Sequence, residues 1–317
     1  YVDGSWCCWQ SVPVAPRPST QLRKQSVRRR ERRSRVPLVL AAVLAVIVAG
    51  VILWTSGTVS DRRPSSGPPS ESAAASTAES PTSGQQGWPD ATNTGVPPSV
   101  EGEMRRVDDL VVTDDNAHYT RLDIEGCVDV KADNVEITES VIRCSRNGPA
   151  VRTFDGVKNL VLDQVEIDGL GKASTCVGFD NVTISRSNLH DCNDGVDFGS
   201  NVVIERSYIH DLARGDDTHN DAVQTLGGSN DVIKDSTLEA YRASTDDLMN
   251  SAIQTGHLSS PLTNVLIQHN YLDGGNYTVN AGATSTNGLP IQGYVFKDNV
   301  FGRHFRYGPV QAVGPGT

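Results

Sequence analysis

Asn201-Val202-Val203-Ile204-Glu205-Arg206-Ser207-Tyr208-Ile209 is the clearest copy of a nine-residue pattern that recurs beyond residue 130. Upstream copies occupy 134–142, 159–167 and 181–189, and downstream copies occupy 230–238, 264–272 and 293–301. The template is Asn (Gly293 in the last copy), an aliphatic residue or Phe three on, most often a small or polar residue six on, and an apolar residue eight on. Within a copy the apolar residues alternate with period two, which predicts two short strands joined by a bend. Asn tolerates left-handed backbone and can bond to its own copies in neighbouring repeats, which suits the bend where each copy begins.

Successive copies start 25, 22, 20, 29, 34 and 29 residues apart. A unit of that size cannot bury its own apolar face, so it must stack on its neighbours as a solenoid. Between copies lies a third short strand: Gly195-Val196-Asp197-Phe198, Ala222-Val223-Gln224-Thr225, Ala252-Ile253-Gln254-Thr255, Thr278-Val279-Asn280-Ala281 and Pro309-Val310-Gln311-Ala312. The predicted fold is all-β, a right-handed parallel β-helix with three strands per coil. A propeller or sandwich would need hairpin turns every 8–12 residues. Asp194-Gly195 and Asp273-Gly274 do not recur at that spacing.

Outward from the repeats the composition changes abruptly. Residues 1–35 are basic, 36–54 are apolar apart from Pro37 and Gly50, and 55–87 are rich in Ser, Pro, Thr, Ala and Gly. Nineteen apolar residues at ~1.5 Å each match the hydrocarbon thickness of a bilayer. This predicts a cytoplasmic basic segment, a single transmembrane signal anchor at 36–54, a disordered linker and an extracellular β-helix over 88–317. A cleaved signal peptide, giving secretion, is the alternative. The chain begins with Tyr1, and the sequence does not define its oligomeric state.

The formal net charge is −10, and the nine basic and two acidic side chains of 1–35 leave −17 on everything after. That excess excludes nucleic acid as a partner, because phosphate recognition needs a basic surface. Cys127, Cys144, Cys176 and Cys192 are an even set for an oxidising compartment. Their offsets from the repeat starts favour Cys127–Cys144 and Cys176–Cys192.

If Val196, Val223, Ile253, Val279 and Val310 point inward, Asp197, Gln224, Gln254, Asn280 and Gln311 form an outward polar column, a floor suited to saccharide hydroxyls. Seven residues connect Leu189 to Val196 and Leu272 to Val279, but fourteen connect Ile209 to Val223 and fifteen connect Leu238 to Ile253. Two adjacent coils thus carry long connections on one edge, expected to wall a cleft over the column. The first holds His210, Asp211, Arg214, Asp216, Asp217, His219, Asn220 and Asp221; the second holds Arg242, Asp246, Asp247 and Asn250. Asp221 takes the strand-entry position that Asp194 takes one coil earlier. Two such carboxylates can split their pKa values into an acid and a base, the requirement of glycoside hydrolysis. His219 is two residues from Asp221, and His257 lies along the same rim. Asp216 and Asp217 are a carboxylate pair suited to Ca²⁺, although nothing in the sequence demands a cofactor. Zinc spacing, a phosphate-binding glycine loop and a serine nucleophile elbow are absent from the sequence.

The run Trp88-Pro89-Asp90-Ala91-Thr92-Asn93-Thr94-Gly95-Val96-Pro97, the Asn-led repeats, and His219-Asn220-Asp221-Ala222-Val223-Gln224 resemble the actinobacterial right-handed β-helix repeat proteins of the pectin-lyase-like kind. That resemblance implies secretion and action on polysaccharide. Asn193-Asp194-Gly195, Gly215-Asp216-Asp217 and Gly256-His257 are similar to motifs of polygalacturonase-type glycoside hydrolases, though no Arg-x-Lys follows His257. The expected function is cleavage of a polysaccharide or cell-wall glycan, with Asp194 and Asp221 as acid and base and Asp197, His219, Gln224 and Gln254 orienting the sugar. The alternatives are a Ca²⁺-assisted lyase with Arg214 as base and Asp216 and Asp217 on the metal, and a non-catalytic glycan-binding or structural rod.

Overall fold

The computed structural model describes residues 87–215, 218–255, 258–281 and 289–311. The expectations for 1–35, 36–54 and 55–86, and those for Asp216, Asp217 and His257, lie outside the described residues. Among the described residues no helix is long and apolar enough to cross a membrane.

Twenty-seven short strands form three sheets among the described residues. Sheet C takes the first strand of each repeat copy, as in Val203–Glu205; sheet A takes the second, as in Asn188–His190; sheet B takes the third, as in Asp194–Phe198. In each sheet, strands from successive coils pair in parallel. The architecture is a three-sheet parallel β-helix, and right-handed coiling is the sense expected of parallel crossovers.

The repeat pattern builds the core directly. Sheet A stacks Ile142, Ile167, Leu189, Ile209, Leu238 and Leu272 in register. Sheet C stacks Leu162, Ile184, Ile204, Ile233 and Ile267, and sheet B stacks Val151, Val177, Val196, Val223, Ile253 and Val279. All of these side chains are buried.

The leading Asn residues do what their chemistry allows. Asn134, Asn159, Asn181, Asn201, Asn230 and Asn264 have φ between 57° and 65°. Their amides bond from coil to coil, as in Asn159 Nδ2 to Asn134 Oδ1 (2.8 Å) and Asn201 Nδ2 to Asn181 Oδ1 (2.9 Å). A second left-handed residue stands five positions on, at Glu139, Gln164, Arg186, Arg206, Asp235 and His269. Each of these residues carries a Cβ that crowds the following carbonyl in this conformation, so each costs about 1 kcal/mol. The strain is offset between coils: Glu139 N donates to Asp163 O (3.1 Å) and Arg186 N to Glu205 O (3.1 Å). The small residue that follows then turns inward, where Ser207 Oγ accepts from Ser187 N and Ser236 Oγ from Ser207 N, both at 3.2 Å.

Both disulfides take the expected pairing, Cys127–Cys144 and Cys176–Cys192. They close sequence separations of 17 and 16 residues. Each removes about 3 kcal/mol of chain entropy from the unfolded state.

One expectation needs correction. Val310 is 39 % exposed, because nothing described stacks on the last coil, so the inward column ends at Val279. The second long connection carries regular structure: Thr237–Arg242 extends sheet A and turns through Ala243–Thr245 to pair antiparallel with Asp247–Leu248.

Candidate functional site

Sheet B carries the predicted columns. Its strands repeat a burial pattern in which two consecutive buried residues follow the first position and a half-buried residue comes fourth, as in Asp194–Phe198, Asp221–Thr225 and Ser251–Thr255. The fourth position gives the column Asp197, Gln224, Gln254, Asn280 and Gln311. The first gives Thr175, Asp194, Asp221 and Ser251. Gln224 Nε2 reaches down to Asp197 Oδ1 at 3.4 Å, and Gln254 Oε1 is buried without a partner among the described residues.

Asp194 and Asp221 meet as the register requires, since Asp221 N donates to Asp194 Oδ1 at 2.8 Å. The same bracket recurs elsewhere on the scaffold: Asp109 Oδ1 accepts from Cys127 N (2.7 Å) and Asp180 Oδ1 from Ser200 N (2.6 Å). What differs is the environment. Asp109 and Asp180 are exposed, whereas Asp194 is half-buried and Asp221 fully buried. Asn250 Nδ2 donates to Asp221 Oδ1 at 2.8 Å, and Asp221 Oδ2 has no partner among the described residues.

Three carboxylates therefore share one dry patch, and no Lys, Arg or His is bonded to any of them among the described residues. Burial is the first cause of the shift in each. It lifts Asp194 to about 8, with the charges of Asp197 and Asp221 adding and the Asp221 amide opposing. Asp221 is raised to about 7, against the donors Asn250 and Ser251. Asp197 rises only to about 6, moderated by Gln224.

The remaining expected residues are distributed differently. His219 is exposed and makes no hydrogen bond to Asp221. Arg214 spans the two long connections: its Nε and Nη2 grip Asp247 at 2.7 and 2.9 Å, and Nη2 also meets Leu248 O at 2.6 Å. A guanidinium so committed is a clasp between loops.

A second titratable cluster, which the sequence reading passed over, lies where sheet A turns toward sheet B. His190 bonds Asp191 Oδ2 (3.0 Å) and Glu166 Oε1 (3.3 Å), and His210 bonds Asp211 Oδ2 (2.8 Å) and Asn188 Oδ1 (2.9 Å). Arg242 reaches Asp191 and the carbonyl of Asp211. Burial depresses His190, but the bonds to Glu166 and Asp191 outweigh it and hold the pKa at about 9. Burial and the neighbouring His190 charge keep His210 low. Asp168, His190 and Asp191 bring ligand atoms within 4.8 Å of one another, a grouping able to hold a cation. Here the His190 proton and Arg242 already supply the positive charge. The signal in sequence was Leu189-His190-Asp191 and Ile209-His210-Asp211, an aliphatic residue followed by His-Asp at one repeat register. Further along sheet A, Tyr208 Oη donates to Glu239 Oε2 at 2.8 Å, while burial and Asp273 raise Glu239 to about 7.

Fold and site together define a parallel β-helix with two disulfides and an acidic patch on one sheet. Comparisons with protein-family models, with curated proteins and with solved structures find no match to this chain.

Proposed function

We propose that the sheet B face cleaves a polysaccharide by carboxylate acid/base hydrolysis, with Asp194 as the acid and Asp197 as the base. The carrying observation is the placement of two half-buried carboxylates on one strand beside the buried Asp221, with no Lys, Arg or His bonded to them among the described residues; burial raises both, Asp194 further than Asp197. At pH 7 Asp194 holds a proton for the leaving glycosidic oxygen, and Asp197 is ionised to take a proton from water attacking the anomeric carbon. Asp221 is fully buried and touches no sugar; its charge helps keep Asp194 protonated. The polar column orients the chain. The two disulfides fit an oxidising, extracellular compartment, and the apolar stretch 36–54 would tether the domain to the membrane.

Reducing-end release from actinobacterial wall and plant polysaccharides tests this. Activity should follow a bell with limbs near pH 6 and pH 8, and Asp194→Asn should lower it by about 10²–10⁴-fold. An unchanged rate in Asp194→Asn removes the assignment. The Asp194–Asp221 amide bracket, shared with Asp109 and Asp180, favours a second reading as a glycan-binding rod. Glycan binding without product, surviving Asp194→Asn, would select it. A Ca²⁺-assisted lyase is less favoured with Arg214 engaged by Asp247; ultraviolet absorbance of an unsaturated product would revive it.

A further inference from the structure

The columns of sheet B run on past the carboxylates, and their later members have a different character. Two coils beyond Asp221, in the same column by the register that pairs Ile253 with Val279, stands Tyr277. Tyr307 lies beside it with ring centroids 5.5 Å apart, and Tyr307 is 65 % exposed. Tyr277 is half-buried, so the pair presents a supported aromatic platform. Beside it the other column offers the amides of Gln254 and Asn280, and the buried Gln254 Oε1 is unpaired among the described residues. From Asp194 to Tyr277 is three coil spacings, ~14 Å, the reach of a trisaccharide.

Charge then narrows the ligand. From Asp194 to Gln311 neither column contains Lys or Arg. Two guanidiniums near the face are committed elsewhere: Arg214 grips Asp247, and Arg152 bonds Asp129 while lying 4.3 Å from the Phe154 ring centroid. A uronate laid on this face would bring its carboxylate to Asp194, Asp197 and Asp221 with no cation between them, which like-charge repulsion opposes. An uncharged sugar needs only hydroxyl partners and an apolar ring face, and the amides and the Tyr277–Tyr307 pair supply both.

We propose that the sheet B face binds an uncharged glycan, with Tyr277 and Tyr307 as an aromatic subsite about three sugar units from Asp194. This rests on the hydrolase reading for the place of cleavage, but recognition is separable from it. The test is electrophoresis of the full chain through gels containing mixed-linkage glucan, galactan or polygalacturonate, with Tyr307→Ala, Tyr307→Phe and the wild type compared. One of the neutral glycans should retard the chain and polygalacturonate should not. Tyr307→Ala should weaken that retardation about tenfold, the loss of one aromatic contact, and Tyr307→Phe should restore it. Tyr307 is exposed enough for both variants to fold, which an unchanged melting curve verifies. Retardation by polygalacturonate, by no neutral glycan, or equally in Tyr307→Ala overturns the proposal. Neutral-glycan binding without new reducing ends sinks hydrolysis alone. Product from polygalacturonate sinks the neutral-glycan reading and leaves hydrolysis standing.

Discussion

The corner of sheet A and the face of sheet B stack titratable side chains on the same coils, yet they solve opposite electrostatic problems. On sheet A, Glu166 and Asp191 are met by protonated His190, Asp191 also by Arg242, and Asp211 by the ring of His210, and each carboxyl is held below its ordinary value. On sheet B, Asp194, Asp197 and Asp221 have only amides and the Ser251 hydroxyl as partners among the described residues, and each is pushed above it. Ladder geometry is common to both, so it explains neither. Charge compensation separates them: a compensated ladder holds coils together, while an uncompensated one keeps groups poised to exchange protons near neutral pH.

The largest expected effect breaks the uncompensated side. Asp194 stands near 8 in the fold and near the ordinary ~3.9 in the unfolded chain. Below pH ~4 both states hold the proton. As pH climbs toward 8 the unfolded chain ionises first, so the fold loses stability through that window and levels off above it. Asp221 and Glu239, both raised to about 7, act with the same sign. The wild type should therefore melt several degrees lower at pH 8 than at pH 5. Asp194→Asn should flatten that slope and gain on the order of 2–3 kcal/mol at pH 8. Parallel melting curves for the two proteins across pH 5–8 would show that Asp194 is not held neutral.

A smaller effect is expected from the compensated side. Arg242→Met leaves Asp191 and the Asp211 carbonyl without their guanidinium. A fully buried pair would cost more, but the Asp191 side chain is 35 % exposed. The expected loss is about 1–2 kcal/mol by chemical denaturation. Hydrolysis at sheet B should stay at the wild-type rate, and a fall in rate with unchanged stability would tie the two ladders together.

The division between what sequence revealed and what it hid follows contact range. The Asn residues announce the coil because left-handed backbone and side-chain stacking are local properties of that residue type, and the coil in turn fixes the cysteine pairing and the sheet B columns. The second left-handed position was silent, since Glu139, Gln164, Arg186 and His269 share no chemistry. Their conformation is imposed by the next coil. The burial of Asp221 was hidden for a similar reason, because it depends on Asn250 lying over it. The sheet A cluster needed Arg242, whose partner Asp191 is 51 residues away. The engagement of Arg214 was hidden because Asp247, 33 residues on, sits in a hairpin that loop length alone does not reveal.

Arg214 gives the smallest and most discriminating change. The Arg214–Asp247 pair is an exposed two-point clasp, with side chains 47 % and 33 % accessible, so Arg214→Gln should cost no more than about 1 kcal/mol of stability. Its consequence lies in geometry. The clasp joins the connection leading into Asp221–Thr225 to the hairpin leading into Ser251–Thr255, the two connections expected to wall a cleft over the polar column. If those walls only position the glycan, releasing them should raise KM several-fold while kcat and the pH profile stay fixed, because Asp194 and Asp197 belong to the strand beneath. A fall in kcat with KM unchanged would instead place Arg214 at the reacting bond, and would move it from the compensated class to the uncompensated one.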